Sequence, residues 1–214
     1  MGRNLSKPAN GAPVRTFLAV ELPEPARASL ATTASQLEPH RSILKLVAPE
    51  LLHVTIRFLG QLTERQLNSV EEAAAAAAAQ VEPFALQLGG IGSFPERRAP
   101  RVVWAGLADD EGYGHLQILF AAVERELAAR GFPPEGRAFA PHITLARVRE
   151  GVPAEDTRPL SATLEAIHNA NGLRDSFEVR QLTVMRSDLS SRGPRYTTLT
   201  RAPLRAPTST GADS

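Results

Sequence analysis

Hydrophobic and polar residues alternate along several segments of the chain, as they do in strands with one buried face. The segments are RTFLAVEL, LLHVTIRFLG, FALQLGGIG, RVVWAGL, FAPHITLARV, FEVRQLTVMRS and RYTTLTR. Helix-like stretches lie between them: one from Pro23 to about Leu37, an alanine-rich one that opens at Thr63, and GHLQILFAAVERELAARG, which ends at Gly131. Strands interleaved with helices predict a protein of the α/β or α+β class.

The two ends of the chain differ in composition from its middle. Residues 1–13 and 203–214 are rich in small residues and proline and offer little to bury, which predicts two mobile tails around a single domain spanning 14–202. The segment from Glu150 to Ser176 is polar and has no clear pattern. We interpret it as a lid or an insertion.

Composition narrows the classes of function. The chain of 214 residues is 43% hydrophobic, enough for a sizeable core. It has no cysteine, which excludes disulfides and thiolate metal sites and makes the cytoplasm the expected location. No apolar run approaches the roughly 20 residues of a membrane helix. Almost all of the positive charge is arginine, which is compatible with a phosphorylated ligand.

One short pattern occurs twice. HVTI, residues 53–56, is repeated as HITL, residues 142–145. Because strand side chains alternate between faces, His53 and Thr55 share one face, and His142 and Thr144 repeat the arrangement. Burying an imidazole and a hydroxyl without partners costs on the order of 1 to 3 kcal/mol each. A polar cleft shared by the two strands would explain both pairs.

Such a cleft predicts acid–base chemistry on a phosphate. A neutral histidine can act as the base and a protonated one as the acid, because the imidazole pKa of about 6.5 allows both forms near neutral pH. Threonine hydroxyls can hold phosphate oxygens between them, and no metal is needed. A single H-x-T triplet is more often an ordinary core or surface histidine, but two matched copies favour a site.

The chain resembles the two-histidine (2H) phosphoesterase superfamily, and within it the LigT-like RNA 2′,3′-cyclic phosphodiesterases of the ThpR family. The paired H-x-T motifs carry the resemblance. The flanking FLG, the F-P before RVVW, the approach RAFAPH and the spacing S-x-L-x-x-x-G-x-x-Y support it. Leu46 departs from the family, which often has an aromatic residue there.

The resemblance implies a fold, a reaction and roles for residues. The fold would be α+β and bilobal, with two antiparallel sheets, outer helices and pseudo-twofold symmetry around a central cleft. His53 would donate the proton to the leaving oxygen, His142 would accept the proton of the attacking water, and Thr55 and Thr144 would hold the phosphate. The reaction opens a 2′,3′-cyclic phosphate at an RNA end to leave a 2′-phosphate, and some members also make 2′-5′ linkages. A cofactor-free, metal-free monomer acting on RNA ends is expected.

Four more residues are candidates for ligand contact: Arg147, Phe58, Arg57 and Tyr196. Arg147, a phosphate candidate, and Phe58 each follow a motif histidine by five positions and match cleft positions of the family. An odd offset places them on the opposite face, unless a bulge or the strand end redirects them. Arg57, at an even offset, points to the cleft by parity. Tyr196 belongs to the S-x-L pattern and offers a ring and a hydroxyl.

Other functions stay open on sequence alone. The substrate could be a small cyclic nucleotide, an ADP-ribose cyclic phosphate or a 2′-5′ oligonucleotide, since paired histidines make the same proton transfers on each. The cleft could instead bind RNA ends without turnover, although two intact histidines argue against it. Metal ligation by His53 and His142 is disfavoured, because neither motif has metal-site spacing or a neighbouring carboxylate.

Overall fold

Nine strands and four α-helices account for most of the chain that the structure describes. The structure is a computed structural model, and it describes residues 12–96, 98–170, 173–190 and 193–206. The strands are β1 Val14–Glu21, β2 Leu44–Leu46, β3 His53–Leu62, β4 Phe84–Phe94, β5 Val102–Leu107, β6 Ile143–Val148, β7 Ser176–Val179, β8 Gln181–Ser190 and β9 Gly193–Pro203. The helices are α1 Glu24–Ser35, α2 Glu64–Ala78, α3 Glu111–Ala128 and α4 Arg158–Asn169.

The strands form two antiparallel halves that meet at the histidine strands. The order along the sheet is β7-β4-β5-β6-β3-β1-β8-β9, with β2 added beside β6. At the centre, Val54 and Ile143 are the one residue pair of the described chain that joins β3 to β6, so the two halves share little backbone pairing there. Each half begins with a motif strand and continues through three more strands, which is the expected twofold arrangement. The α+β bilobal expectation is confirmed.

The helices cover the outside of the two halves. Helix α2 packs on β1, β8 and β9, and α3 and α4 pack on β4. Thr63 caps α2 through a reciprocal pair of bonds with Gln66. The alanines of α2 that face inward are fully buried, and their small side chains permit close packing against α3.

The polar segment 150–176 contains a helix that the sequence analysis did not predict. Leu160, Leu164 and Ile167 are buried along one face of α4, at spacings of four and three residues. The helix packs on β4, and none of its described residues lines the central cleft. It is therefore a structural outer helix. The high proportion of polar residues concealed its period.

Contacts with the folded chain continue slightly past residue 202, the predicted end of the domain. The predicted domain start at residue 14 coincides with the first residue of β1. At the other end, Leu204 is buried and its amide donates to the Arg180 carbonyl, while Arg205 pairs with Glu82. Packing and hydrogen bonds thus continue to residue 205, and the domain bounds remain a prediction. Residues 1–11 and 207–214, predicted as tails, lie outside the described residues.

Within the same described ranges, no helix combines the length and the apolar content needed to cross a bilayer.

Candidate active site

A cleft of about 950 Å³ lies where the two halves meet. Both motif strands line it, so His53, Thr55, His142 and Thr144 share one cavity. Its other described lining residues are Lys45, Leu46, Val47, Ala48, Leu51, Ile56, Phe58, Phe94, Phe120, Glu135, Arg137, Ala138, Phe139, Ala140, Arg147, Gly193, Pro194 and Tyr196. The sequence expectation that the two motifs face one cleft agrees with this arrangement.

The two histidines are held in the same way. His53 Nδ1 lies 2.7 Å from the Leu51 carbonyl oxygen, and His142 Nδ1 lies 2.8 Å from the Ala140 carbonyl oxygen. A carbonyl only accepts, so Nδ1 must carry the hydrogen in both rings. Each Nε2 is then left for the cleft. The two histidines are held alike because each lies at the start of its strand, where the carbonyl of the residue two positions earlier points to the ring.

Threonine hydroxyls accompany both imidazoles. Thr55 Oγ1 lies 3.1 Å from His53 Nε2, within hydrogen-bond distance. Thr144 occupies the corresponding position beside His142 and also lines the cleft. Each half therefore offers one ring nitrogen and one hydroxyl, which suits an anion with several oxygens.

A bulge in each motif strand explains why residues at odd offsets reach the cleft. On β3, Thr55 pairs with Ala19 and Arg57 with Leu18, so Ile56 is an extra residue. On β6, Thr144 pairs with Trp104 and Ala146 with Val103, so Leu145 is the extra residue. An extra residue reverses the alternation of faces.

The bulges bring two of the predicted residues into the cleft. Phe58 and Arg147, each five positions after a histidine, both line it. Phe58 is 46% exposed, with Phe17 stacked on its ring and the Arg15 guanidinium 5.5 Å from the ring centroid. Arg147 is exposed and forms no ion pair with any carboxylate of the described residues, so the guanidinium is available to an anion. Their roles as ligand contacts remain predictions.

The parity prediction for Arg57 is wrong. After the bulge its side chain is only 8% exposed and lies behind the cleft wall. It donates to the Pro133 carbonyl at 2.7 Å and pairs with the carboxylates of Glu135 and Glu124. The Arg57 Nε to Glu124 Oε1 separation is 2.8 Å but lacks hydrogen-bond geometry, so this contact is an ion pair alone. Arg57 is not a direct ligand contact.

Aromatic rings surround His53. Tyr196 meets the imidazole edge-on at 5.2 Å between centroids. Phe17 packs against the imidazole at 5.0 Å and against the Tyr196 ring at 5.1 Å. Burial raises the pKa of the Tyr196 phenol, although the positive charges of Arg147 and Arg15 oppose the shift. The phenol therefore keeps its proton at neutral pH and can donate to a bound anion. Tyr196 stays a candidate ligand contact.

The environment of His53 favours the neutral ring. Burial lowers the pKa of the imidazole below its ordinary value of 6.5, and the hydrogen bond to Leu51 partly opposes this. The charges of His142 and Arg147 lower the pKa further. A bound phosphate would reverse the electrostatic part of this shift, because negative charge beside the ring stabilises the imidazolium.

Several cleft residues were missed by sequence reasoning. Lys45 and Arg137 add positive charge, Phe94 meets His142 edge-on at 5.0 Å, and Phe139 stacks on Phe120 at 4.1 Å. Leu46, where the family often has an aromatic ring, lines the cleft. No periodic pattern marks these positions, since most lie in loops or on the short strand β2.

The donors of the cleft suit an anion. Within the described ranges, no group of three or more His, Asp or Glu side chains is arranged to hold a metal ion. The polar groups that line the cavity include hydroxyls, imidazoles, an ammonium and guanidinium groups, which bind phosphate through hydrogen bonds. The one carboxylate among the described lining residues, that of Glu135, is paired with Arg57.

Comparison with known proteins agrees with this chemistry. The family model "LigT like Phosphoesterase" matches residues 20–104 and 107–196. An RNA 2′,3′-cyclic phosphodiesterase of Thermus thermophilus is 35% identical over 195 residues, covering 90% of this chain and 91% of the relative. One of Methanothermobacter thermautotrophicus is 33% identical over 184 residues, covering 86% and 95%.

Solved structures show the same fold. The crystal structure of TT0787 from Thermus thermophilus aligns with a TM-score of 0.70 at 31% identity, covering 90% of this chain and 99% of that one. E. coli LigT complexed with 3′-AMP aligns with a TM-score of 0.67 at 27% identity, covering 90% and 98%. With both halves of the chain matched, the protein belongs to the LigT-like phosphoesterase family of 2H phosphoesterases.

Proposed function

We propose that this enzyme hydrolyses the 2′,3′-cyclic phosphate at an RNA end and leaves a 2′-phosphate. The observation that carries the proposal is the matched pair of histidines, each with Nδ1–H bound to a backbone carbonyl and Nε2 left for one shared cleft. The relatives named RNA 2′,3′-cyclic phosphodiesterase support the substrate class. All groups come from one chain, so we propose that a monomer suffices.

The proposed reaction needs two proton transfers. His142 Nε2 removes a proton from water, whose oxygen attacks phosphorus and forms a new P–O bond. The bond from phosphorus to the ribose 3′ oxygen breaks, and the proton on His53 Nε2 passes to that oxygen. The product is a 2′-phosphate monoester with a free 3′-hydroxyl. Proton exchange with water then restores both rings.

The remaining groups hold the phosphate during this exchange. Thr55 and Thr144 donate hydroxyl hydrogens to the non-bridging oxygens, and the Arg147 guanidinium neutralises their charge. Since these donors are fixed by the two strands, they need little reorganisation as charge develops. An RNA 5′-hydroxyl in place of water would give a 2′-5′ linkage through the same transfers, so ligation is part of the proposal.

The burial of His53 and the positive charges near it predict a specific titration of this proposed acid. Because burial lowers its pKa, the ring in the free enzyme should lose its proton at a pH below 6.5. We expect the His53 Cε1–H NMR signal to titrate below 6.5, and the midpoint to rise when inorganic phosphate binds. Arg147→Gln should also raise the midpoint, since it removes a positive charge. A free-enzyme midpoint above 6.5, or no response to Arg147→Gln, would contradict this account.

The direct test uses an RNA oligonucleotide that ends in a 2′,3′-cyclic phosphate, incubated with the protein in EDTA. We expect metal-free conversion to a 2′-phosphate, identified in NMR by the coupling of its phosphorus to the ribose H2′. Nucleoside 2′,3′-cyclic phosphates and a 2′-5′ dinucleotide are assayed in parallel. Binding of the oligonucleotide without turnover of any substrate would instead indicate an RNA-end binding protein.

A further inference from the structure

One wall of the cleft is a loop without regular structure. Residues 133–140 belong to no helix or strand, yet Glu135, Arg137, Ala138, Phe139 and Ala140 all line the cavity. The loop runs directly into β6, and the Ala140 carbonyl accepts the Nδ1 hydrogen of His142. A loop has no backbone ladder to fix it, so its position depends on side-chain anchors.

Arg57 provides the main polar anchor. Its guanidinium donates to the Pro133 carbonyl at 2.7 Å and to the Glu135 carboxylate, and it pairs with Glu124 on α3. The Glu124 carboxylate in turn accepts the Glu135 amide hydrogen at 2.8 Å. Buried charge-assisted contacts of this kind are stronger and more directional than exposed ones. The start of the loop is thus fixed by three hydrogen bonds, two from the Arg57 guanidinium and one to the Glu124 carboxylate.

An aromatic contact fixes the other end of the loop. Phe139 stacks on Phe120 of α3, with centroids 4.1 Å apart and an interplanar angle of 3°. Both rings line the cleft, so the wall presents an aromatic surface. An aromatic surface beside a phosphate site suits the flat face of a nucleobase.

The location of Arg57 connects the two halves of the site. It lies on β3, the strand of His53, whereas the loop it holds precedes His142. The backbone link between β3 and β6 is the single pair Val54 and Ile143. The Arg57 cluster therefore adds a side-chain connection between the strand of His53 and the loop that precedes His142, and both of its carboxylate partners lie far from it along the chain.

We propose that Arg57 is a positioning residue for the nucleoside part of the substrate. By fixing the loop 133–140 against β3, it holds the aromatic wall at the distance that a nucleoside beside the cyclic phosphate requires. It does not touch the phosphate. The inference deepens the proposed function and rests on it for the identity of the substrate.

The kinetic test compares Arg57→Gln with two substrates. For a nucleoside 2′,3′-cyclic phosphate, we expect KM to rise about tenfold with kcat changed less than about threefold, because contacts made equally in ground and transition states affect KM. For the base-free ethylene cyclic phosphate, kcat/KM should stay at the wild-type value. Arg57→Lys should recover part of the loss, since it keeps the charge but not the fork.

The matched control is Arg130→Gln. Arg130 also pairs with a glutamate of α3, Glu126, at 2.8 Å, but within the described residues its side chain has no hydrogen bond or ion pair with the loop. We expect no change in KM for either substrate. Equal losses on both substrates in Arg57→Gln, or a KM effect as large in Arg130→Gln, would overturn the positioning role.

Two readouts separate this inference from the proposed function. Amide hydrogen exchange at residues 135–139 should accelerate at least about tenfold in Arg57→Gln and less in Arg57→Lys, while the Ala140 amide and the amides of β1 and α2 stay unchanged. The Kd of a nucleoside 2′-monophosphate should weaken about tenfold in Arg57→Gln while that of inorganic phosphate does not. Unchanged exchange or unchanged nucleotide Kd rejects the positioning role. If Arg57→Gln shows the expected changes in exchange and in nucleotide Kd, but the wild-type protein hydrolyses no cyclic phosphate, only the proposed function is rejected.

Discussion

His142→Ala is expected to lower kcat for RNA 2′,3′-cyclic phosphate hydrolysis by about 10²- to 10⁴-fold, the range that a positioned general base contributes. The variant loses the group that removes the proton from water, but it keeps Thr144 and Arg147 on the same strand. Binding of the oligonucleotide should therefore change little. Rapid-quench kinetics under single-turnover conditions measures the chemical step, and fluorescence anisotropy measures the Kd.

His53→Ala should cause a loss of similar size, and the double variant should lose little more than either single one. Residues that act on the same transition state are not additive in kinetics. The control is His115→Ala, since this ring lies on α3, bonds the Glu111 carbonyl and stacks on Phe84. An active His142→Ala enzyme, or a loss as large in His115→Ala, would reject the two-histidine mechanism.

The second large effect is expected at Arg147. Arg147→Ala should lower kcat/KM by about 10- to 100-fold, since a hydrogen bond to a charged group contributes about 1.5 to 3 kcal/mol. Its guanidinium has been redirected into the cleft by the bulge at Leu145, and its charge already acts on His53 and Tyr196. Initial rates measured across a range of salt concentrations provide the test, because loss of a phosphate contact should also reduce the salt dependence of kcat/KM.

Two variants make the Arg147 experiment specific. Arg147→Lys should recover part of the activity, since an ammonium supplies the charge without the bidentate fork. Arg149 lies two positions later, is exposed and does not line the cleft. Arg149→Ala should therefore have wild-type activity. If Arg147→Ala keeps full activity with an unchanged salt dependence, the phosphate role of this residue is wrong.

The local sequence pattern predicted the structure correctly where the residues that determine an element lie close together in the chain. The two H-x-T strands, the capped start of α2 at Thr63 and the shared cleft all follow from alternation, capping chemistry and the cost of burying polar groups. The polar helix α4 shows the limit, because its buried residues keep a helical period that the surrounding polar residues obscure.

The sequence by itself determined that each of two similar strands turns a histidine and a threonine to one face, because alternation within a strand is a local property. Only the tertiary structure decided which later residues join them. The bulges at Ile56 and Leu145 exist through the register with neighbouring strands, and they send Arg147 to the cleft and Arg57 away from it. The partners of Arg57 also lie far along the chain, on α3 and its following loop. Contacts of this kind depend on how distant segments pack, which no local pattern encodes.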